Sequence, residues 1–308
     1  MNLKSNLKSV LFLTRPTFII YSILLPISLL TWSGTINYLP WFSTILLILA
    51  TFFGFSYNVV LNNITDSRVD KLKSVWLNPI AKGLTTVEFA HRLLKIYIIL
   101  FVITFSCFLV STMFYSRLTI FQILTITLVT IFTNILGVIY NKSIDRTWLI
   151  NLSMVFSFSL TTIVFTITST LHLTWFFTMY TILVIVIQIL NQYQEYEIEC
   201  MVRKTPMCSE KSRRINLWIC KILTITLLIL GYVAWINLHI LTTYQFITFE
   251  AMIVMYLIST SVAIYLEYSK NPKIKIIKNI IKHLLIEILM RWLATRILYL
   301  TWLITLMI

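Results

Sequence analysis

Long apolar stretches, broken by shorter polar ones, run the whole length of the chain. From Pro16 to Thr65 no residue carries a charge, and windows of about 20 apolar residues, enough to cross a hydrocarbon core as a helix, recur after it. The pattern predicts nine spans, near 17–36, 41–61, 96–114, 118–140, 149–170, 174–191, 215–237, 244–267 and 284–306. Arg291 and Arg296 fall inside the last one, so an alternative lays 271–287 flat as a basic amphipathic helix ahead of a shorter final span. The first segment is long and lacks a small-residue cleavage site, so it is read as a span and not as a cleaved signal. The expected fold is all-α, a polytopic membrane protein of nine transmembrane helices in one bundle. No stretch is left for a soluble domain. Residues 1–308 are read as a single transmembrane domain with polar motif loops at 62–95 and 191–215.

Composition agrees: 58% hydrophobic, 14% aromatic and only 12% charged excludes an ordinary soluble protein. Of the 25 Lys and Arg, 22 fall in segments 1–15, 63–95, 141–148, 192–221 and 268–282, whereas the alternate loops hold Arg117 alone. Positive residues are retained on the cytoplasmic side, so the N-terminus and the motif loops are expected there, and an odd span count puts the C-terminus outside. The net charge of +14 is then mostly topological bias plus attraction to anionic lipid headgroups. The basic residues form no single interleaved patch, so a nucleic-acid partner is not expected.

Four cysteines, Cys107, Cys200, Cys208 and Cys220, have no metal-ligand spacing. Three fall on the reducing side of this topology, so disulfides are not expected. The four histidines are far apart and receive no role.

The chemistry concentrates where the second and sixth spans end. "NNITDSRVD" places Asn62, Asp66 and Asp70 at i, i+4 and i+8, on one side of a continuing helix. "NQYQEYEIE" repeats the spacing with Asn191, Glu195 and Glu199, each 129 residues further on. "YNKS" at 140–143 and "YSKN" at 268–271 add a weaker echo, and together they suggest a parallel internal repeat. A single acidic pair beside Arg68, Lys71 and Lys73 reads as a solvated helix end. A second copy at the same spacing, on a span running the same way, favours a site of facing motifs.

Carboxylates one turn apart repel, so something positive belongs between them. Mg²⁺ suits them, because it takes carboxylate oxygen and commonly bridges one or two carboxylates to substrate phosphates. A diphosphate held at the membrane surface, with a hydrocarbon tail in the bilayer, describes a polyprenyl diphosphate. Neutralising the charge that develops on the departing diphosphate would drive ionisation to an allylic cation.

These residues resemble the UbiA superfamily of intramembrane prenyltransferases. "LTRPTF" is similar to the opening of that family's first helix, with Arg15 at its arginine. "NNITDSRVD" matches its first aspartate-rich motif at Asn62, Asp66 and Asp70, and "NPIAKG" at 78–83 resembles the turn that follows. "NQYQEYEIE" with the later "RKT" resembles the second motif. The resemblance implies helices around a central cavity, and Mg²⁺ held by Asp66, Asp70, Glu195 and Glu199 and oriented by Asn62 and Asn191. It further implies Tyr140 near the reacting diphosphate, with Arg15, Arg68, Lys71, Lys73, Lys142, Arg146 and Lys204 as the cations that receive it. The implied reaction moves a polyprenyl group from an allylic diphosphate to a small aromatic or lipid-precursor acceptor. Four departures stand out: Asn63 where a second Asp is usual, Glu at both acids of the second motif, Asn78 where Arg is common, and no Gly before Lys204.

Competing readings keep part of this picture. A UbiA-type terpene cyclase would ionise the diphosphate and need no acceptor. A transporter or cation-binding membrane protein would place the acids on an ion path, although their position at a surface and not at the midplane argues against it. A non-catalytic relative would bind Mg²⁺ and diphosphate without turnover.

Overall fold

The computed structural model describes residues 3–72, 78–143, 145–269, 274, 278 and 280–307. Among them there is no strand. The helices are α1 (Leu3–Thr14), α2 (Pro16–Trp32), α3 (Trp41–Leu72), α4 (Val87–Tyr115), α5 (Ile120–Lys142), α6 (Trp148–Thr166), α7 (Thr170–Val202), α8 (Glu210–Ile236) and α9 (Thr243–Tyr268). A 3₁₀ turn covers Thr35–Tyr38, and a π-wound segment, Lys282–Leu298, runs into α10 (Tyr299–Thr305).

Local chemistry explains the helix ends. Thr119 and Thr242 close capping boxes with Gln122 and Gln245, while Thr86 and Ser209 accept from Phe89 and Ser212 backbone N–H groups. Pro16 starts α2, where its missing N–H costs nothing. Gly34 just beyond α2 takes φ 71°, which a residue with a Cβ avoids.

Among the described residues seven helices, α3 to α9, are long and apolar enough to cross a membrane. The protein is thus an all-α, polytopic integral membrane protein. The expected first and ninth spans are represented by shorter apolar helices, Ile19–Trp32 and Arg296–Thr305. Much of the alternative surface helix at 271–287 lies outside the described residues.

The chain separates into two compact units, Met1–Ile144 with Leu160–Leu173, and Asp145–Ser159 with Thr174–Ile308. In the first, α3 packs against α1, α2, α4 and α5. Leu13, Tyr57, Val60, Ala90, Leu93 and Tyr97 form a buried core there. The opposite faces of α4 and α5 leave Ile99, Val102, Phe121 and Leu128 exposed, which is a stable arrangement only where lipid replaces water. In the second unit α9 packs against α8, the π-wound segment and α10. Phe176 stacks on Trp302 at 5.6 Å, and Phe249 lies 5.4 Å from the same ring. Gly231 lets α8 come close to α9, since a Cβ there would meet the Phe249 ring at 2.8 Å.

Candidate active site

The two longest α-helices, α3 of 32 residues and α7 of 33, each end in one of the acidic motifs. On α3, Asp66 and Asp70 are buried, at 9% and 8% exposure, while Asn62 one turn before them is half-buried. Asn58, one further turn back, continues the same stripe and accepts from Asn141 Nδ2 at 3.1 Å. Gly137 on α5 makes room for this contact, because a Cβ there would stand 2.7 Å from Asn58 Oδ1.

Asn78 is the residue that orders the first motif from outside its helix. It is fully buried, and its Nδ2 donates to Asp70 Oδ2 at 2.8 Å and to the Asn63 backbone oxygen at 2.8 Å. Its Oδ1 accepts from the backbone N–H groups of Ile80 and Ala81, at 3.1 and 3.3 Å, closing an Asx turn ahead of Gly83 with φ 67°. All four hydrogen-bonding positions of the amide are used, which accounts for Asn where an arginine resembled the family better.

Asn63 has a role of a different kind. It is fully buried, donates from Nδ2 to the Leu13 backbone oxygen at 2.8 Å, and accepts on Oδ1 from Arg15 Nη2 at 2.6 Å. Arg15 joins α1 to α2 with φ 54° and ψ 106°, a backbone conformation that costs a non-glycine residue about 1–3 kcal/mol. An asparagine can tie both ends of this junction because it donates and accepts; an aspartate has no donor for Leu13. The missing second acid is therefore a clamp on the junction that carries Arg15.

On α7, Glu199 is buried, whereas Asn191 and Glu195 are half-buried. Arg203, one turn on, pairs with Glu199 Oε1. Beyond Val202 the chain turns back, and this turn corrects the expectation of four thiols. Cys200 and Cys208 are joined as a disulfide, their Cα atoms 5.5 Å apart. Charge bias speaks only to the redox compartment, whereas the pairing comes from a reversal after α7 that brings together residues 8 apart. Cys107 and Cys220 are free thiols.

The same unit pins its loops. Arg146 is buried, and its backbone N–H donates to Lys204 O at 2.8 Å, while Lys204 N–H donates to Asp145 Oδ1 at 2.9 Å. Two of the expected diphosphate-binding residues are thus adjacent. On the other side of α7, Lys282 Nζ lies 3.5 Å from Glu197 Oε1 and 4.3 Å over the Tyr196 ring. Arg213 covers the same ring at 4.2 Å and holds Glu267, which also accepts from Lys278 at 3.2 Å. Burial pulls Lys282 down to about 8, and Glu197 opposes that shift.

The remaining expected residues lie as follows. Arg68, Lys71, Lys142 and Lys204 are exposed, Arg15 and Tyr140 are half-buried, and Lys73 lies outside the described residues. Arg15, Arg68, Lys71, Tyr140 and Lys142 belong to the first unit with Asn62, Asp66 and Asp70; Arg146 and Lys204 belong to the second with Asn191, Glu195 and Glu199. Among the described residues, no three His, Cys, Asp or Glu side chains gather closely enough to hold a metal ion. Each motif supplies a carboxylate pair and an amide, all hard oxygen donors. That set fits Mg²⁺, which takes one or two carboxylates and fills its shell with water and phosphate. In the sequence Asn78 and Asn63 register only as departures from the family pattern, and Arg203 only as the first residue of "RKT"; what each of them holds is set by contacts that spacing does not encode.

No protein-family model and no curated protein matches the sequence. Among solved structures, two of a UbiA homologue from Archaeoglobus fulgidus share the fold at 15% identity, covering 97% of this chain and 99% of theirs. One, bound to GPP and Mg²⁺, superposes with a TM-score of 0.57, and the other, bound to DMAPP and Mg²⁺, with 0.58. The chain therefore has the UbiA fold.

Proposed function

We propose that this protein is a Mg²⁺-dependent intramembrane prenyltransferase, moving a polyprenyl group from an allylic diphosphate to a small aromatic or lipid-precursor acceptor. The observation that carries this reading is the buried Asp66–Asp70 pair, set by Asn78, at the end of a membrane-length helix in a fold shared with a UbiA homologue bound to GPP and Mg²⁺. Asp66 and Asp70, with Glu195 and Glu199, would hold the metal, oriented by Asn62 and Asn191. When bound, Mg²⁺ would neutralise the charge gathering on the leaving diphosphate.

The chain's own residues do the rest. Arg15, Arg68, Lys71, Lys73, Lys142, Arg146 and Lys204 attract and hold the diphosphate oxygens, and Tyr140 donates to them. The allylic C–O bond breaks with its electron pair leaving on the diphosphate. The apolar surroundings exclude water until the acceptor attacks. The two motifs are halves of a parallel internal repeat, a reading supported by the matched lengths of α3 and α7 and by the division near residue 144. Both motif loops and the N-terminus are cytoplasmic, on the distribution of Lys and Arg.

The test is diphosphate release from geranyl and longer allylic diphosphates by purified protein with Mg²⁺, across an acceptor panel. Asp66→Ala and Glu195→Ala should each abolish it. Intact activity in either variant overturns the site, and a cyclic hydrocarbon formed without acceptor replaces transfer by cyclisation. Mass spectrometry of lipids from cells expressing wild type and Asp70→Ala would name the product.

A further inference from the structure

A groove of about 700 Å³ lies along the start of α8 beside the end of α9, lined by none of the residues assigned above. Its polarity changes along the helix. At one end Lys211 is exposed, and Arg214 pairs with Glu210 while its guanidinium rests 4.7 Å over the Tyr268 ring. Arg214 Nε has no hydrogen-bond partner. Lys211 and Arg214 thus set two cations against one carboxylate, Glu210. Toward the other end Ile215, Ile219 and Ile222 leave 50%, 39% and 60% of their surface uncovered. Between the two, Trp218 Nε1 donates to the Tyr268 hydroxyl at 3.2 Å, an aromatic pair of the kind found at headgroup level.

Lys211, Ile215, Trp218 and Ile222 share one helix face, so the cations and the apolar ladder form one continuous strip. From 211 to 222 the helix rises about 16 Å, close to the depth of a single leaflet at half of roughly 30 Å. An occupant must be anionic at the head, to meet unmatched positive charge, and apolar over the length of a chain. A zwitterionic headgroup brings no net charge to balance the excess.

We propose that this groove binds one anionic glycerophospholipid, its phosphate on Lys211 and Arg214 and one acyl chain along Ile215, Ile219 and Ile222. The lipid would fix the first turns of α8 and, through them, the 203–209 turn that follows the second motif. The proposal does not depend on the prenyl-transfer reading, since it uses none of that site's residues.

Native mass spectrometry of the full chain, titrated with phosphatidylglycerol or phosphatidylcholine, tests it. Phosphatidylglycerol should form a single tight adduct, and Lys211→Gln with Arg214→Gln should weaken it roughly 30-fold, the usual worth of two basic residues near an anionic surface. Equal retention of both lipids by the wild type, or an unchanged adduct in the double variant, overturns the proposal. So does one-for-one displacement by geranyl diphosphate, which would make the groove a substrate path. Should the double variant not fold, quenching by brominated lipids decides instead. The part of the signal lost in Trp218→Phe should be larger with brominated phosphatidylglycerol than with brominated phosphatidylcholine, and equality overturns the assignment.

Discussion

Asn78 donates to Asp70 Oδ2 at 2.8 Å from a turn eight residues further along the chain, so one amide holds both a candidate metal ligand and the loop that follows it. Its two functions can be separated. Asn78→Asp keeps the acceptor for the Ile80 and Ala81 N–H groups but turns the donor facing Asp70 into a second carboxylate. Diphosphate release should fall roughly 10- to 150-fold, the range for losing a hydrogen bond to a charged group, and the Mg²⁺ concentration for half-maximal rate should move. Asn78→Ala should also lower the unfolding temperature, because two turn N–H groups lose their acceptor. An Asn78→Asp variant with unchanged rate and metal dependence would remove Asn78 from the site.

Asn63→Asp is expected to harm the protein. The new carboxylate would face the Leu13 carbonyl across the 2.8 Å now spanned by a hydrogen bond, at a fully buried position. A buried acceptor left unsatisfied costs about 1–3 kcal/mol, and a stronger pairing with Arg15 offsets only part of it. Thermal unfolding in detergent should show a loss of stability with no gain in turnover. A variant at least as stable as wild type and faster would mean that a third acid serves the metal after all.

Lys282 makes stability depend on pH in a defined direction. Its burial, set against Glu197, Tyr196, Tyr193, Lys278, Glu267 and Arg213, holds it at about 8 in the folded chain, against about 10.4 when unfolded. Below pH 8 it is charged in both states and its desolvation cost is fully present. As pH rises from about 8 to about 10.4 the folded chain releases the proton first, so the unfolded chain binds more protons and stability rises. Lys282→Met should remove that rise. The check is the difference in unfolding temperature between wild type and variant across this window, and a parallel pair of curves would contradict it.

The helices that matter for the site were readable in the chain because apolar run length is a strong signal in a membrane protein. α3 and α7 carry their motifs where the charge-free stretches end, and the i, i+4, i+8 spacing fixes a helix face without tertiary information. In the sequence Asn78 and Asn63 register only as departures from a familiar pattern. Their reasons depend on a turn that folds back onto α3 and on a strained junction at Arg15, neither of which leaves a periodic trace. The ends of the bundle were less readable. α2 stops at Trp32, short of the expected 36, because Gly34 turns left-handed and a 3₁₀ turn follows, and the π-wound Lys282–Leu298 follows no 3.6-residue pattern. Lys282 sits among the basic residues that charge bias alone assigns to a surface, yet aromatic rings and Glu197 bury it.

The Cys200–Cys208 bond puts the structure and the charge-derived topology in direct opposition, and alkylation resolves it. In the denatured protein, thiol labelling without reductant should reach only Cys107 and Cys220, and labelling after dithiothreitol should reach all four cysteines. Closing so short a loop restricts the unfolded chain by about 2.5 kcal/mol in the loop-entropy description. Cys208→Ser should therefore lower the unfolding temperature, and dithiothreitol should lower the wild type to match while leaving the variant unmoved. Because Cys200 follows Glu199, and Arg203 pairs with Glu199 across the last turn of α7, reduction should also loosen the second motif and reduce turnover more than Mg²⁺ can restore. Four labelled thiols without reductant would leave the cysteines reduced on a cytoplasmic face, and the α7 turn would then be held by its other contacts, among them Arg203 on Glu199, Lys204 on Asp145, and Arg213 on the Met207 and Cys208 carbonyls.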